Sequence, residues 1–231
     1  MGIGNMYKWV TKTFNPVAGV CPHGCSYCFV NTLKRRNKVL RNKYNGDIRL
    51  VEHELKRNLG KGNVWFVCSC MDLFAEVVPL YIIEKVLEHC REYPDNTYLF
   101  QSKNPKRFMD IDTVWFPQNT ILGTTIETNR DTSGISKAPI TFDRYLGIKH
   151  AGYYKSLDVM VSIEPILDFD VSKMVNWMRD IKPKFVSIGA DSKNHNLPEP
   201  PAWKVEQLIK SLKEFTEVKI KDNLSRILEV K

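Results

Sequence analysis

What this chain lacks narrows its function before any motif does. No run approaches the eighteen or so unbroken apolar residues of a membrane-spanning helix, so no membrane partner is expected. The opening MGIGNMYKWV has no apolar core of the kind a secretory signal carries, and Met6 stands where N-myristoylation wants Ser or Thr. These absences lead to the expectation of a cytoplasmic protein, whose thiols stay reduced and in which disulfide staples are rare. The six cysteines are therefore read as metal ligands, reactive groups or core residues. No repeat, low-complexity tract or long linker interrupts the sequence, and residues 1–231 are read as a single domain. A glycine-rich GxGxxG turn, the mark of a dinucleotide-binding doubly wound sheet, is absent after the first strand candidate.

What is present has a regular rhythm. Short β-branched and aromatic runs alternate with longer amphipathic segments, the pattern of βα units around a parallel sheet. The strand candidates are WVTKTFNP, NVWFVCSC, TYLFQSK, TILGTTIE, DVMVSIEP, KFVSIGAD and EVKIK. Between them, PLYIIEKVLEHCREY, VSKMVNWMRDI and AWKVEQLIKSLKEF carry apolar stripes at helical spacing. Polar residues gather at the C-terminal ends of the strands: Ser69 and Asp72, Gln101 and Lys103, Thr125 and Glu127, Ser162 and Glu164, and Asp191. Barrel enzymes build their sites on that rim. The expected fold is therefore α/β, a partial (β/α)6 barrel, with EVKIK as a possible extra C-terminal strand.

The formal net charge is +8, which favours anionic partners such as nucleic acid or nucleotides. Much of the excess lies in LKRRNKVLRNK, as Lys34, Arg35, Arg36, Lys38, Arg41 and Lys43. That segment reads either as a solvated helix face or as a phosphate-contacting rim beside the cysteines that precede it.

Those cysteines form the sharpest local feature. In GVCPHGCSYCF, residues 19–29, three thiols occupy eight positions at Cys21, Cys25 and Cys28. Structural zinc wants four ligands, usually as two separated pairs. Here a lone triplet would need a distant cysteine, and His23 would struggle to fold back onto the same ion. Cys25 and Cys28 fit a thioredoxin-like redox pair poorly. A cubane iron–sulfur cluster usually takes four thiolates, so three leave one iron open. A small molecule's amino and carboxylate groups can chelate that iron and bring a sulfonium within electron-transfer reach.

CxxxCxxC with Tyr27 before the last cysteine, directly after the first strand of a βα series, resembles the radical S-adenosylmethionine (radical SAM) superfamily. FVCSCMDLF, LFQSKNPKRF, GTTIETN, HAGYYKSLDVMVSIEPIL and FVSIGADSKN resemble segments of spore photoproduct lyase and of an uncharacterised phage-borne radical SAM family. The resemblance implies a 4Fe-4S cluster on Cys21, Cys25 and Cys28, and S-adenosyl-L-methionine as the second cofactor. That molecule is cleaved reductively to methionine and a 5′-deoxyadenosyl radical, with an electron donor such as a flavodoxin or ferredoxin. Tyr27 would pack against adenine. The usual Gly-Gly-Glu is replaced by CSCMD, which makes Ser69 and Asp72 the candidates for the cofactor's amino group. Lys103 and Thr125 would meet its carboxylate. Glu127 would accept from ribose hydroxyls or pair with an ammonium, and Glu164 would touch cofactor or substrate unless it forms a buried salt bridge.

In spore photoproduct lyase a cysteine of the similar segment returns a hydrogen atom to the substrate radical. Cys70, or alternatively Cys68, is the matching candidate, the two being expected to share one side of a strand. Cys90 falls on an apolar stripe and reads as core. The substrate, a small molecule or nucleic acid, is unidentified, with the basic charge leaning toward a nucleobase, nucleotide or nucleic acid. The rival is a non-catalytic module that uses zinc or an iron–sulfur centre structurally and binds nucleic acid.

Overall fold

The computed structural model of the chain describes residues 7–132 and 134–229. The readings that rest on Met6 and the residues before it lie outside the described residues. Strands β1 (Lys12–Phe14), β4 (Val64–Val67), β5 (Thr97–Ser102), β6 (Thr120–Thr125), β7 (Asp158–Ile163), β8 (Phe185–Ile188) and β9 (Glu217–Ile220) form one sheet in that order. Every pairing in it is parallel. The remaining strands, β2 (Val17–Ala18) and β3 (Arg49–Leu50), pair antiparallel as a small ribbon between β1 and β4. The expected partial barrel is present, and EVKIK is an integral seventh strand registered on β8 from Phe185–Glu217 to Ile188–Ile220.

Seven α-helices accompany the strands among the described residues: α1 (Phe29–Arg36), α2 (Lys38–Lys43), α3 (Leu80–Arg91), α4 (Thr141–Lys155), α5 (Val171–Ile181), α6 (Ala202–Leu212) and α7 (Ser225–Leu228). The βα rhythm fails once. Between β5 and β6 the chain makes only two 3-10 turns, Pro105–Asp110 and Thr113–Trp115. The basic segment after the cysteines also departs from a single helix. Asn37 is extended (φ −132°, ψ 115°), and its side chain accepts from the Leu40 N–H at 3.1 Å, ending α1 and capping α2. No helix of the described residues is long and apolar enough to cross a membrane.

Period-two alternation along the strands sorts two cores. Outward residues such as Val67, Phe100, Leu122, Val161 and Val186 pack under α3–α6, against Ile82, Val86, Ile148, Met178 and Leu208. Burying each such side chain contributes about 1.5–3 kcal/mol. Cys90 lies fully buried in this layer. Inward residues Phe66, Leu99, Ile121, Met160 and Phe185 form a second cluster, closed by Tyr7 and Val10. Two positions further along the same strands the inward residues turn polar: Gln101, Ser162 and Ser187. An apolar floor therefore sits beneath a polar cavity at the C-terminal ends of the strands.

Helix α4 approaches the Pro105–Asp110 turn very closely. A Cβ at Gly147 would lie 2.7 Å from the Lys106 backbone nitrogen and 3.1 Å from the Pro105 carbonyl carbon. Both are backbone atoms that cannot swing aside. Gly147→Ala should destabilise the fold by about 1–3 kcal/mol through overpacking. Denaturant titration measures this, and an unchanged midpoint would show that α4 can back away from the turn freely.

Candidate functional site

The polar cavity has a volume of about 860 Å³. Cys21, Cys25, Tyr27 and Cys28 line one side of it. Cys68, Ser69, Cys70, Asp72, Lys103 and Thr125 line the next stretch, and Glu164 the side toward β9. Of the residues expected to hold cluster, cofactor or substrate, Glu127 stands behind the cavity wall rather than in it.

The cysteine loop is fixed from two sides. Residues 135–137 clamp its outer edge: Ser26 N–H donates to the Ile135 carbonyl at 2.9 Å, and Lys137 N–H to the His23 carbonyl at 2.7 Å. Ser136 Oγ lies 3.1 Å from Cys25 Sγ. On the inner edge, His23 Nε2 meets Asp72 Oδ2 at 2.7 Å. Cys25 is 8% exposed, while Cys21 and Cys28 are partly open. Burial, then the nearby Asp72 charge, pushes the Cys21 thiol up to about 11, and burial raises Cys28. Any metal held here must displace those protons. Among the described residues no three His, Cys, Asp or Glu side chains converge tightly on a single ion.

Asp72 is fully engaged within the protein. Its Oδ2 also accepts from Ser102 Oγ at 3.0 Å and the Lys103 N–H at 2.7 Å, and its Oδ1 from the Phe74 N–H at 2.9 Å. Burial alone would raise this carboxyl. The hydrogen bond and charge of His23, with the other donors, outweigh burial and lower it. Ser69 Oγ and the Cys70 N–H both approach Asn15 Oδ1, each at 3.3 Å.

Cys68 and Cys70 do not share a strand, contrary to expectation. β4 ends at Val67, and Cys68 takes φ +54°, so residues 68–70 form a turn to which strand alternation does not apply. Both reach the cavity wall nevertheless, Cys68 buried and Cys70 partly open. Burial, then the charge and hydrogen bond of Cys70, raises the hydroxyl of buried Tyr44.

A second buried carboxylate organises the β5–β6 side. Glu127 is 1% exposed. Its Oε1 accepts from Lys103 Nζ at 2.5 Å and from the Tyr27 hydroxyl, and its Oε2 from Arg144 Nη1 at 2.7 Å. Lys103 Nζ also donates to the Tyr27 oxygen at 2.7 Å and stands 5.1 Å over that ring. Burial would raise Glu127, but Lys103 and Arg144 hold it down to about 2. Burial, then the Glu127 charge, keeps Tyr27 protonated by raising it well above its ordinary value.

Arg144 was missed in the sequence. It is 0% exposed on α4, further fixed by Nη1 to the Thr125 carbonyl (3.0 Å) and Nε to the Pro139 carbonyl (2.6 Å). The available signal was its place on a buried stripe with Gly147, Ile148 and Ala151, where an unpaired cation would be costly. Across the cavity, Glu164 forms a salt bridge, taking Lys221 Nζ on both oxygens at 2.7 Å. Tyr7, Gln101 and Thr125 form a polar chain above the floor, from Tyr7 OH to Gln101 Oε1 (2.8 Å) and Gln101 Nε2 to Thr125 Oγ1 (3.0 Å).

Comparison with known proteins gives one family and a set of folds. Residues 5–216 match the family model described as Protein of unknown function (DUF5131). No curated protein matches in sequence. A spore photoproduct lyase mutant with bound AdoMet and dinucleoside spore photoproduct is similar with a TM-score of 0.64 at 10% identity, covering 90% of this chain and 75% of that one. Streptococcus suis SuiB bound to S-adenosylmethionine has a TM-score of 0.54 at 7% identity, covering 95% and 52%. SuiB bound to its precursor peptide SuiA gives 0.56 at 7%, covering 95% and 51%. At such identities the likeness is one of fold, and it is the fold that the resemblance to radical SAM enzymes implied.

Glu127 yields a prediction with a defined sign. Its folded pKa lies below its ordinary value of 4.5, so its stabilisation is complete above about pH 4.5 and is lost as pH falls toward about 2. Glu127→Gln leaves buried Arg144 and half-buried Lys103 without a counterion and should cost roughly 3–5 kcal/mol at pH 7. The gap between wild type and variant should narrow as pH falls through that window. Paired denaturation curves from pH 7 to pH 3 test it, and a constant gap would contradict the assigned network.

Proposed function

The chain belongs to the DUF5131 family, and for this member we propose radical SAM chemistry. The observation that carries the proposal is the cysteine loop: three thiols of one short segment open together into a cavity on the C-terminal rim of a partial parallel barrel. Thiols are soft donors suited to iron–sulfur ligation. Cys21, Cys25 and Cys28 would hold a 4Fe-4S cluster, and the cavity lies in the range that takes a cofactor-sized molecule. When bound, cluster and S-adenosylmethionine supply the 5′-deoxyadenosyl radical that abstracts a substrate hydrogen, with a flavodoxin- or ferredoxin-like electron donor.

The remaining roles follow from hydrogen-bonding capacity. Lys103 has three N–H donors, of which Glu127 and Tyr27 take two, leaving one for the cofactor carboxylate. Thr125 accepts from Gln101 and keeps its own proton to donate to the same group. Ser69 remains on the cavity wall for the amino group, whereas Asp72 acts by holding the loop, its lone pairs being occupied. Tyr27 offers its ring face to adenine. Glu127 serves as counterion behind Lys103 rather than as a ribose ligand. Cys70, partly open to the cavity, is assigned the hydrogen-atom donor role in preference to buried Cys68. The basic charge supports a nucleobase, nucleotide or nucleic acid as substrate. So does the dinucleoside bound by spore photoproduct lyase, a protein of the same fold.

Anaerobically reconstituted protein should be brown and carry about four irons. Cys21→Ala, Cys25→Ala or Cys28→Ala should remove most of that iron and all reductive cofactor cleavage, whereas Cys90→Ala should leave both intact. A colourless protein with one tightly held zinc would end the proposal. Lys103→Ala should weaken S-adenosylmethionine binding by roughly tenfold to a hundredfold, the loss of one charge-assisted contact, while iron content stays unchanged. Calorimetric titration reads this, and an unaltered dissociation constant would remove Lys103 from the cofactor site. Cys70→Ala should leave cofactor cleavage intact and divert the product, as product analysis after single turnover would reveal.

A further inference from the structure

Helix α1 begins immediately after Cys28, and its first residues, Phe29 and Val30, line the cavity. Helix α1 therefore starts at the cavity, and α2 leads back toward it, since Tyr44 at its C-terminal end lies against Cys70. Neither α1 nor α2 contains an acidic residue. Lys43 is paired with Glu54 at 3.3 Å, but Lys34, Arg35, Arg36, Lys38 and Arg41 have no carboxylate partner among the described residues. Arg41 is nevertheless held in place. Its Nε donates to the Lys34 carbonyl at 3.1 Å and its Nη2 to the Arg35 carbonyl at 3.2 Å. Those contacts satisfy carbonyls at the end of α1 and leave three of the five guanidinium N–H groups free. Asn31, Lys34, Arg35 and Arg41 together border a shallow, open depression of the surface.

A pre-positioned guanidinium fork beside two further cations and an amide is suited to the paired oxygens of a phosphate. We propose that this α1–α2 shelf binds the phosphodiester backbone of a nucleic acid strand and so delivers one of its bases to the cavity. The dimensions agree. Eight residues of α1 rise roughly 12 Å, about three or four nucleotides of a stacked strand at ~3.4 Å each. An acidic protein would be the other anionic partner, but protein interfaces are built around an apolar centre. The two helices expose one large apolar side chain, Val39 at 73%. Nucleic-acid interfaces are polar and strongly positive, as this shelf is.

The identity of the strand as substrate rests on the radical SAM reading, whereas strand binding by the shelf does not. The test is fluorescence anisotropy with a labelled 20-nucleotide single-stranded DNA between 50 and 200 mM salt. It is run on the reconstituted protein and on a cluster-free variant lacking Cys21, Cys25 and Cys28. Both should bind, with log affinity falling against log salt by about 0.7 per phosphate contact. The triple variant Lys34→Gln/Arg35→Gln/Lys38→Gln alters two exposed side chains and the half-buried Lys34. It should flatten that slope by about 2 and weaken binding at 50 mM salt at least tenfold. Lys210→Gln/Lys213→Gln, an exposed basic pair at the end of α6, should change neither. Absence of strand binding overturns the proposal, as does a triple variant that binds like wild type. Equal displacement by polyglutamate overturns it in favour of an acidic protein, and equal affinity for thymidine monophosphate in favour of a free nucleotide. Strand binding lost with cofactor cleavage retained would remove the shelf and spare the enzyme. Strand binding in the cluster-free variant without cofactor cleavage in the reconstituted protein would do the reverse.

Discussion

The cavity mouth depends on one buried carboxylate and the four hydrogen bonds it accepts. Asp72 takes donors from His23 in the cysteine loop, from Ser102 and Lys103 at the end of β5, and from Phe74 in its own turn. Removing a carboxylate from water costs several kcal/mol, and that cost is offset only when its lone pairs are filled. The requirement works in both directions. Three segments far apart in sequence must meet at Asp72 to satisfy it, and in meeting they fix where the thiols stand. Lys103 inherits the same restraint, since its backbone is pinned by Asp72 and its ammonium by Glu127. A side chain held at both ends loses little freedom when it takes a ligand, which is the advantage of pre-organisation.

Charge is distributed unevenly around the cavity. On the β5–β6 side two cations, Lys103 and Arg144, share the single carboxylate of Glu127. Glu127 stands behind the wall and Asp72 accepts from the Lys103 backbone, so the group presented there to an entering molecule is the Lys103 ammonium. On the β7–β9 side Glu164 and Lys221 balance each other. A Cβ at Gly189 would come within 3.0 Å of both side chains, so the small residue there makes room for the pair. The Lys103 wall thus suits the carboxylate end of the proposed cofactor.

Much of this arrangement was legible in the sequence, for definite physical reasons. Strands buried on both faces need near-continuous β-branched and aromatic runs, and TYLFQS and DVMVSI announce themselves. Their polar last residues could be read as rim residues because a floor of Phe66, Leu99, Ile121 and Met160 fills the lumen beneath them. Other features were hidden. The period-two inference for Cys68 and Cys70 failed because Cys68 adopts a left-handed conformation that no glycine advertises. Asn37 looked like an interior residue of a basic helix until its side chain proved to cap the next one. Arg144 and Glu127 are seventeen positions apart, and their pairing depends on how closely α4 lies against the Pro105–Asp110 turn, a fact of packing rather than of pattern.

The charge of the shelf beside the cavity has only a partial structural justification. Helices shorter than about 12–15 residues are marginal in water, and α1 and α2 have eight and six. α2 fully buries none of its own residues, and it is held to the main core by Leu40 and by its C-cap Tyr44. Its ends rely also on the Asn37 cap and on arginines: Arg49 donates to the Asn42, Lys43, Asn45 and Asp47 carbonyls. Into this weak element the sequence places Lys38 and Arg41 three apart, a like-charge pair that costs a few tenths of a kcal/mol. Glutamate in place of Lys38 would relieve the repulsion and keep the helix propensity. Stability accounts for Arg41, which satisfies the Lys34 and Arg35 carbonyls, and for the cations of the C-terminal turns, but not for Lys38 or for the want of any acid. A bound anion does, because it turns the mutual repulsion of those side chains into a shared attraction at the edge of the cavity.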